Sequence, residues 1–423
     1  MKSTFLRNRK ITSKIKMDFK LNKIQVLVGS RQVGKTSILK YLQQELDNVI
    51  YLDLDRLVDL SIFETVDNLL RYIQLHRPDK NERIFVFVDE FQQVPEAGKI
   101  FKALHDHYDD IQLVISGSSS LNIMKNLNES MAGRKRIYTI FPLDFEEYLY
   151  FKSHKYYDYF KNTECFEFIP EVFPELQQQF EEFIQFGSYP AVTLLDETND
   201  KIEELNDIIK SYIEKDIKSF IKIDNIITYN KLLKRLSLNI GNLLNLQTVK
   251  SDLGLNRHNL DNYLFLLINT YIIDLIPPFY QNKINELKKM SKLYFFDTGI
   301  RNLLIANFQA LHNRTDMGAL MENGVWTELI KNKLLLSDIK FWRTTSKSEV
   351  DFVLVFQDQI FPIEVKYQNK VNAIPRTLKS FVDSYQSTQA WVITKNQFFE
   401  LKYKNCTVSF LPAFFSSKIL SKI

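Results

Sequence analysis

Apolar strands that end in charged or polar residues form the first pattern along the chain. Residues 23–42 read as a buried strand, a glycine-bearing loop and then a helix. A run of five apolar residues, Ile84–Val88, ends directly in two acids, and a further apolar strand begins at Ile111. Uninterrupted apolar runs suit central parallel strands that are covered on both faces, so the front of the chain predicts a parallel α/β sheet.

The middle of the chain, from about 145 to 235, reads as helices rich in aromatic side chains. Two short helices about a turn are then predicted: Thr248 begins the first, Gly254 makes the turn and Asn256 caps the second. Two strand-like runs follow around a basic loop, with Lys292 on or beside that loop. This order of elements is typical of a winged helix-turn-helix.

Alternation of charged and apolar residues marks two strands near the end of the chain, joined by a tight turn at 357–359. Alternate residues of a strand share a face. Glu349 and Asp351 therefore share one face of the first strand, and Glu364 and Lys366 share one face of the second. Pairing of the two strands as a hairpin predicts that these charged residues meet.

Composition narrows the possibilities only a little. The chain has 423 residues, and the usual domain size predicts about three domains. Its formal net charge of +4 neither requires nor excludes a nucleic-acid partner. Two cysteines far apart in sequence exclude a disulfide framework and a cysteine-based zinc site, which favours the cytoplasm. No apolar run approaches the roughly 18–20 residues that span a bilayer, so no membrane partner is expected.

The loop after the first strand has the spacing of a phosphate-binding motif. Gly29 and the run Gly34-Lys35-Thr36 fit G-x-x-x-x-G-K-[ST] at every defined position. Glycines let backbone N–H groups surround phosphates, and the start of the following helix attracts negative charge. Lys35 can reach the outer phosphates and the Thr36 hydroxyl can ligate Mg²⁺. The predicted ATP-binding residues are Gly29, Ser30, Arg31, Gln32, Val33, Gly34, Lys35, Thr36 and Ser37.

A magnesium–nucleotide site also needs an acid on a neighbouring strand, and Asp89-Glu90 supplies it. Asp89 is predicted to bind Mg²⁺ together with Thr36. Glu90 is predicted to polarise the water that attacks the outer phosphate. Both are therefore candidate catalytic residues.

Two further polar positions are candidates for catalysis. Ser116 or Ser118, at the end of the next strand, can sense the outer phosphate, and a plain loop is the alternative. Arg134, with Arg136 nearby, lies beside the glycine of a turn. An arginine aimed at the nucleotide of a neighbouring subunit stabilises transition-state charge, and a solvated basic turn is the alternative.

Several motifs follow one another along the chain: GSRQVGKTS, FVFVDEFQQVP, SGSSS, the AGR…FPLDFEEYL run, the turn Gly187–Pro190 and the segment Tyr212–Ile217. Together they resemble the AAA-type P-loop ATPases of bacteria and archaea that carry a nuclease-like C-terminal domain. The resemblance implies an α/β protein with an AAA-type parallel-sheet core, a helical lid or connector, a winged helix-turn-helix, and a restriction-endonuclease-like α/β domain. The predicted boundaries are 1–146, 147–230, 231–292 and 293–423.

The second helix of the predicted helix-turn-helix turns polar side chains outward. In this motif that helix enters the major groove of DNA. Its candidate DNA-binding residues are Arg257, His258, Asn259 and Asn262. The alternative is a module that only packs domains together.

The charged hairpin near the end of the chain has a chemistry of its own. Asp351 and Glu364 form a hard-oxygen pair suited to Mg²⁺ or Mn²⁺, and Lys366 can steady a nucleophilic water. This arrangement resembles the PD-(D/E)XK nuclease core, which implies Glu322 as its helix acid, and Glu349 completes the candidate nuclease site. An ordinary hairpin with a surface salt bridge is one alternative, and a nuclease fold kept only for binding is another.

These patterns and the resemblance predict a cytoplasmic, Mg-dependent ATPase whose hydrolysis of ATP is coupled to DNA binding or processing. The alternative is an ATP-controlled switch that binds a protein or nucleic-acid partner and contains an inactive nuclease-like module. The expected cofactors are ATP and Mg²⁺, with a second Mg²⁺ or Mn²⁺ at the nuclease-like site. An arginine finger at Arg134 would imply a homo-oligomer.

Overall fold

The chain folds into two compact units, each assembled from separate stretches of sequence. The computed structural model describes residues 6–94, 96–117, 131–163, 170–218, 220, 225–280 and 290–422. The first unit comprises Met1–Phe141, Ser211–Phe220 and Asn269–Tyr271, and the second comprises Pro142–Lys210, Ile221–Ile268 and Ile272–Ile423.

The first unit is built on a parallel sheet with the strand order β2-β3-β4-β1-β5. Its strands are β1 (Ile24–Val28), β2 (Val49–Asp53), β3 (Ile84–Asp89), β4 (Ile111–Gly117) and β5 (Lys135–Thr139). Its described helices are α1 (Lys10–Met17), α2 (Lys35–Gln44), α3 (Leu57–Ile62), α4 (Val66–His76) and α5 (Ala97–His107). Every residue of β1 and of β4 is buried, as expected for central strands covered on both faces. The predicted parallel α/β core is confirmed.

One detail of the predicted sheet is wrong. Strand β4 lies between β1 and β3, so Asp89 is not on the strand next to the one that leads into the glycine loop. Local hydrophobic pattern identifies strands but carries no information on their order across a sheet. The acid and the loop still share the carboxyl edge, because all five strands run in the same direction.

The second unit begins with helices, as the pattern between about 145 and 235 predicts. They are α6 (Phe145–Lys152), α7 (His154–Asn162), α8 (Phe173–Phe186), α9 (Pro190–Thr193), α10 (Thr198–Tyr212) and α11 (Ile226–Ser237). A π-helical turn, Ile213–Ile217, continues α10 into the segment Ser211–Phe220 that belongs to the first unit.

Two short helices and a two-stranded sheet follow at the predicted helix-turn-helix. Helix α12 (Leu246–Leu253) starts two residues before Thr248, because the Asn245 side chain accepts hydrogen bonds from the first backbone N–H groups. The predicted turn and second cap are confirmed: Gly254 has a φ of +62°, and the Asn256 side chain accepts from the Asn259 amide at 2.8 Å. Helix α13 is Arg257–Asn269, and β6 (Ile273–Ile276) pairs antiparallel with β7 (Lys292–Phe295).

The end of the chain forms a six-stranded mixed sheet with the order β12-β13-β11-β10-β9-β8. Its strands are β8 (Asp338–Arg343), β9 (Glu349–Phe356), β10 (Gln359–Lys366), β11 (Gln389–Thr394), β12 (Phe399–Tyr403) and β13 (Cys406–Pro412). The helices here are α14 (Thr298–Leu304), α15 (Met317–Lys331) and α16 (Arg376–Tyr385), and Ala413–Lys422 is a 3₁₀ segment. Gln357 and Asp358, with φ values of +48° and +64°, form the predicted tight turn between β9 and β10.

Among the helices in the described ranges, none combines the length and the apolar character needed to cross a membrane.

Candidate nucleotide site and carboxylate cluster

The glycine loop connects β1 to α2, and its two defining glycines are required by geometry. A Cβ on Gly29 would lie 2.1 Å from the backbone oxygen of Ile140, so no side chain fits there. Gly34 has a φ of +98°, in the left-handed region that favours glycine, and it precedes the first turn of α2. Thr36 is half-buried on that first turn, and Ser37 beside it is exposed. The loop therefore has the backbone shape that the motif predicts.

Lys35 is buried under this loop. Its Nζ donates hydrogen bonds to the backbone oxygens of Gly29, at 3.0 Å, and Ser30, at 2.7 Å. Burial lowers the pKa of Lys35 to about 8, against the attraction of the Glu90 and Asp89 carboxylates. An anion in the loop would offset this burial, so the site favours a negatively charged ligand.

Asp89, the last residue of β3, is 2% exposed at the carboxyl edge of the sheet. The Tyr51 hydroxyl donates to its Oδ2 at 2.9 Å, and the Ser116 hydroxyl donates to its Oδ1. Burial and the adjacent Asp89 charge raise the pKa of Tyr51, so this hydroxyl stays a donor. Two neighbouring strands thus orient the carboxylate. No pattern in the sequence indicates Tyr51. For Ser116 the sequence predicts phosphate sensing and not the hydrogen bond to Asp89.

Glu90 follows with a strained backbone. Its φ and ψ of 54° and 42° lie in the left-handed region, which non-glycine residues adopt at a cost. Its carboxylate accepts a hydrogen bond from the Gln92 side chain. A strained backbone persists only where the surrounding structure maintains it, and such residues are concentrated at functional sites.

A second acid reaches the loop from far along the chain. Arg31 Nε donates to Asp216 Oδ1 at 2.9 Å, and Asp216 is 2% exposed. Burial raises the pKa of Asp216 to about 6, although Arg31 acts to lower it. Asp216 lies in the π-helical turn Ile213–Ile217, a conformation found often at functional sites. In the sequence this segment contributes only to the family resemblance, and no role is predicted for Asp216.

Of the other two catalytic candidates, Arg134 lies away from this glycine loop. The Arg134 backbone oxygen accepts from the Ile24 amide, which places it at the amino edge of the sheet, opposite the glycine loop. Its side chain pairs with Asp106, with 2.6 Å between Nε and Oδ1. Ser118 lies outside the described residues. A role for Arg134 in a neighbouring subunit stays a prediction.

A cluster of carboxylates lies in the second unit, and it surrounds an amine. Lys292 Nζ on β7 lies 2.9 Å from Glu322 Oε1 on α15, 2.6 Å from Glu349 Oε1 and 3.8 Å from Asp351 Oδ1 on β9. Lys292 is 1% exposed. Lys292 begins β7, beside the predicted basic loop, and its side chain is nevertheless buried. Its strand turns this side chain inward, where three acids compensate the cost of burying its charge.

Glu364 and Lys366 extend the cluster along β10. Their side chains pair at 2.6 Å, and the Val365 amide donates to Asp351 Oδ2 at 2.8 Å. Thr377 Oγ1 lies 3.3 Å from Glu364 Oε1, while Glu364 Oε2 is buried without a hydrogen-bond partner among the described residues.

The pKa values of two acids in this cluster are both raised. Burial first, and then the neighbouring Asp351, raise the pKa of Glu322 to about 7 and that of Glu364 to about 7. The predicted nuclease residues Glu322, Glu349, Asp351, Glu364 and Lys366 are therefore brought together.

The cluster fits the predicted second metal ion in residue type but not in arrangement. Across the described ranges, no group of three or more His, Cys, Asp or Glu side chains is placed to hold a metal ion. Lys292 contacts three of the acids that would otherwise be ligands of the metal ion.

The predicted DNA-binding side chains lie on one part of α13. Arg257, His258 and Asn262 are exposed, and Asn259 is half-buried. Arg257 Nε pairs with Asp261 Oδ2 at 2.7 Å, and Asn262 Nδ2 lies 3.1 Å from His258 Nε2. These contacts stay within the helix, so the polar surface remains accessible.

Comparison with known proteins adds a family match to the first unit. A family model described as an AAA domain matches residues 21–149, and two models for domains of unknown function match residues 177–311 and 317–414. The uncharacterized protein MJ1544 of Methanocaldococcus jannaschii is 29% identical over 371 residues, covering 85% of this chain and 78% of its own. An uncharacterized protein of Haemophilus influenzae is 25% identical over 358 residues, covering 82% of each chain.

Among solved structures, the Walker-type ATPase PABY2304 of Pyrococcus abyssi aligns with a TM-score of 0.48 at 15% identity. The alignment covers 71% of this chain and 96% of that one. A superposition at this level says nothing about activity. The match of residues 21–149 and the geometry of the glycine loop together support an AAA-type P-loop ATPase domain in the first unit.

Proposed function

We propose that this protein is a magnesium-dependent ATPase. The observation that carries the proposal is the position of Lys35 and Asp89: a buried amine under the glycine loop and a buried, oriented carboxylate at the same edge of the sheet. This is the pairing that phosphoryl transfer requires, a cation for the phosphates and an acid for the metal ion.

Each residue of the site has a role in this proposal. The backbone N–H groups around Gly34 bind phosphate oxygens, and Lys35 neutralises their charge. Thr36 and Asp89 would hold Mg²⁺, which would neutralise charge that develops on the transferred phosphoryl group. Tyr51 and Ser116 keep the Asp89 carboxylate in one orientation.

Glu90 acts on the attacking water as a general base. Its carboxylate accepts a proton from that water, and its charge lies close enough to the site to act on Lys35. The Asp216–Arg31 pair ties the loop to Ser211–Phe220, whose flanking chain on both sides belongs to the second unit. We expect nucleotide-dependent changes in the loop to be transmitted along this segment.

What the ATPase acts on has two candidate answers. Coupling to DNA is supported by the exposed polar surface of α13, with Arg257, His258 and Asn262. A nucleotide-controlled switch with an inactive nuclease-like module is supported by the amine of Lys292 inside the acid cluster. In either case we expect the protein to work in the reducing cytoplasm, and an arginine finger at Arg134 would require a second copy of the chain.

Steady-state turnover of ATP tests the proposal. We expect Glu90→Gln to lower kcat by about 10²–10⁴-fold, because it removes the general base. Glu96→Gln, at an exposed acid on the same connection, is the matched control and should leave kcat unchanged. Equal turnover in Glu90→Gln and wild type would contradict the role of Glu90, and absence of turnover in wild type would contradict the ATPase. Duplex DNA added to the same assay separates the two candidates: stimulation favours coupling to DNA, and indifference favours the switch.

A further inference from the structure

The carboxylate cluster is already neutralised by a residue of the chain. Lys292 Nζ lies 2.9 Å from Glu322, 2.6 Å from Glu349 and 3.8 Å from Asp351. The acids come from one helix and one strand, and the amine comes from a third element, β7. Oxygens of all three acids face one buried cation, and carboxylate oxygens are also the ligands that a divalent metal ion takes.

Two side chains of β7 contact Glu322, the acid on α15. Lys292 and Tyr294 are alternate residues, so both project to the same face of the strand. The Tyr294 hydroxyl donates to Glu322 Oε1, the oxygen that Lys292 also contacts. The other oxygen, Oε2, lies 3.3 Å from the Cβ position that Gly241 leaves empty. Glu322 is therefore enclosed by protein on both sides.

Lys292 is itself held in place. Its strand pairs with β6 in an antiparallel ladder, and its ammonium lies 5.6 Å from the centre of the Phe341 ring. Arg343 Nη1 adds a second cation on Glu349 at 2.9 Å. Withdrawing the Lys292 amine would leave the half-buried carboxylates of Glu322 and Asp351 without the cation that they share, which is unfavourable.

We propose that Lys292 is a built-in counter-ion that takes the cation position of this cluster, so that the native chain binds no divalent metal ion there. The proposal concerns the second unit and stands independently of the ATPase in the first. It makes the cluster a latent divalent-cation site, in which Glu322, Glu349 and Asp351 become available as oxygen ligands only when the amine is removed.

Manganese binding to nucleotide-free protein tests this directly, by electron paramagnetic resonance of free Mn²⁺. We expect wild type to bind no Mn²⁺ at the cluster. Lys292→Met keeps most of the length of the side chain and removes the charge, and we expect it to bind one Mn²⁺ per chain there. The site should vanish in Lys292→Met combined with Asp351→Asn. Lys333→Met, at a lysine that pairs with Asp338 at 3.6 Å outside the cluster, is the matched control and should bind none.

Two results would overturn the proposal. One is stoichiometric Mn²⁺ binding by wild type that Asp351→Asn abolishes, because the amine then does not exclude the metal ion. The other is a folded Lys292→Met protein, checked by circular dichroism, that binds no Mn²⁺. If Lys292→Met folds only when Mn²⁺ is added, the metal ion has replaced the amine and the proposal is supported. The wild-type measurement decides the matter even if the variant does not fold at all.

Discussion

At the residue scale, Asp216 is the acid whose environment is hardest to explain by stability alone. Its pKa is raised to about 6 because burial disfavours its charge more than the bond to Arg31 compensates. An ion pair that is costly to bury is weak evidence for stabilisation. A position that keeps a carboxylate under these conditions is a candidate for function, and here the carboxylate contacts the glycine loop.

The first prediction concerns Asp216→Asn and follows the sign of this shift. The folded protein binds a proton at Asp216 up to a pH of about 6, whereas an unfolded aspartate releases it near pH 4. Between these values the folded state binds more protons, so the contribution of Asp216 to the free energy of unfolding falls as pH rises. Asparagine does not titrate, so this decrease is absent from Asp216→Asn. Between pH 4 and pH 7 we expect the free energy of unfolding of Asp216→Asn to rise by about 1–3 kcal/mol relative to that of wild type.

Urea unfolding at several pH values measures this difference. The charged groups that act on Asp216 are Arg31, Lys35 and Glu90, so Arg31→Met is the informative partner variant. We also expect Asp216→Asn to weaken ATP binding severalfold although the protein is no less stable, because Arg31 loses its charged partner and keeps at most a neutral acceptor. A pH-independent difference in stability between wild type and Asp216→Asn would contradict the raised pKa.

Residue identities in the glycine loop were predictable, and their distant partners were not. Gly29 and Lys35 belong to one short motif whose chemistry is local, so spacing alone identifies them. Arg31 and Asp216 are separated by 185 positions, and no periodicity links them. The same reason explains why the burial of Lys292 was not predicted, because the sequence shows a basic residue next to a loop but not the three acids around it.

At the element scale, two glycines show how the second unit is assembled. Gly187 begins the Gly187–Pro190 turn with a φ of +77°, and a Cβ there would lie 2.2 Å from Asp297 Oδ1. Asp297 accepts from the Ser188 amide at 2.8 Å and from the Ile300 amide at 3.0 Å, so it caps α14 and holds the turn at once. The turn was recognised in the sequence only by its resemblance, and its partner acid is supplied by tertiary structure.

The second prediction compares Gly187→Ala with Gly254→Ala. Gly254 has a φ of +62° but nothing within 4 Å of its Cβ position, so alanine there adds only backbone strain, about 1–2 kcal/mol. Gly187, with a φ of 77° and a ψ of −165°, lies in a region that is essentially restricted to glycine, and alanine there also displaces Asp297. We therefore expect a loss clearly larger than that of Gly254→Ala. Chemical denaturation of both variants checks the order. Equal losses would show that Asp297 yields without cost and that the turn is not held as described.

Element type was largely predictable and element order was not. The five-residue run Ile84–Val88 is the core of β3, and the alternating residues of β9 face as expected, with Val350 and Phe352 buried opposite Glu349. These features depend on periods of two residues or on burial on both faces. The position of β4 between β1 and β3 depends on how the connections cross the sheet, which the local pattern does not record.

At the scale of the whole molecule, the candidate nucleotide site lies in one unit and the carboxylate cluster lies in the other. The first unit has the loop, the buried amine and the oriented acid of an ATPase, and residues 21–149 match an AAA domain. The second unit contains the exposed surface of α13 and the acids around Lys292. In our proposal ATP acts in the first unit, and Ser211–Phe220 carries the change onward along the chain.

Equilibrium binding of a fluorescent ATP analogue in the presence of Mg²⁺ tests whether the glycine loop of the first unit binds ATP. We expect wild type to bind one nucleotide per chain and Lys35→Ala to bind at least tenfold more weakly, because the amine under the loop is lost. Lys40→Ala, at an exposed lysine on the same helix, should bind as wild type does. Binding that is equal in wild type and Lys35→Ala, or absent from wild type, would contradict the account.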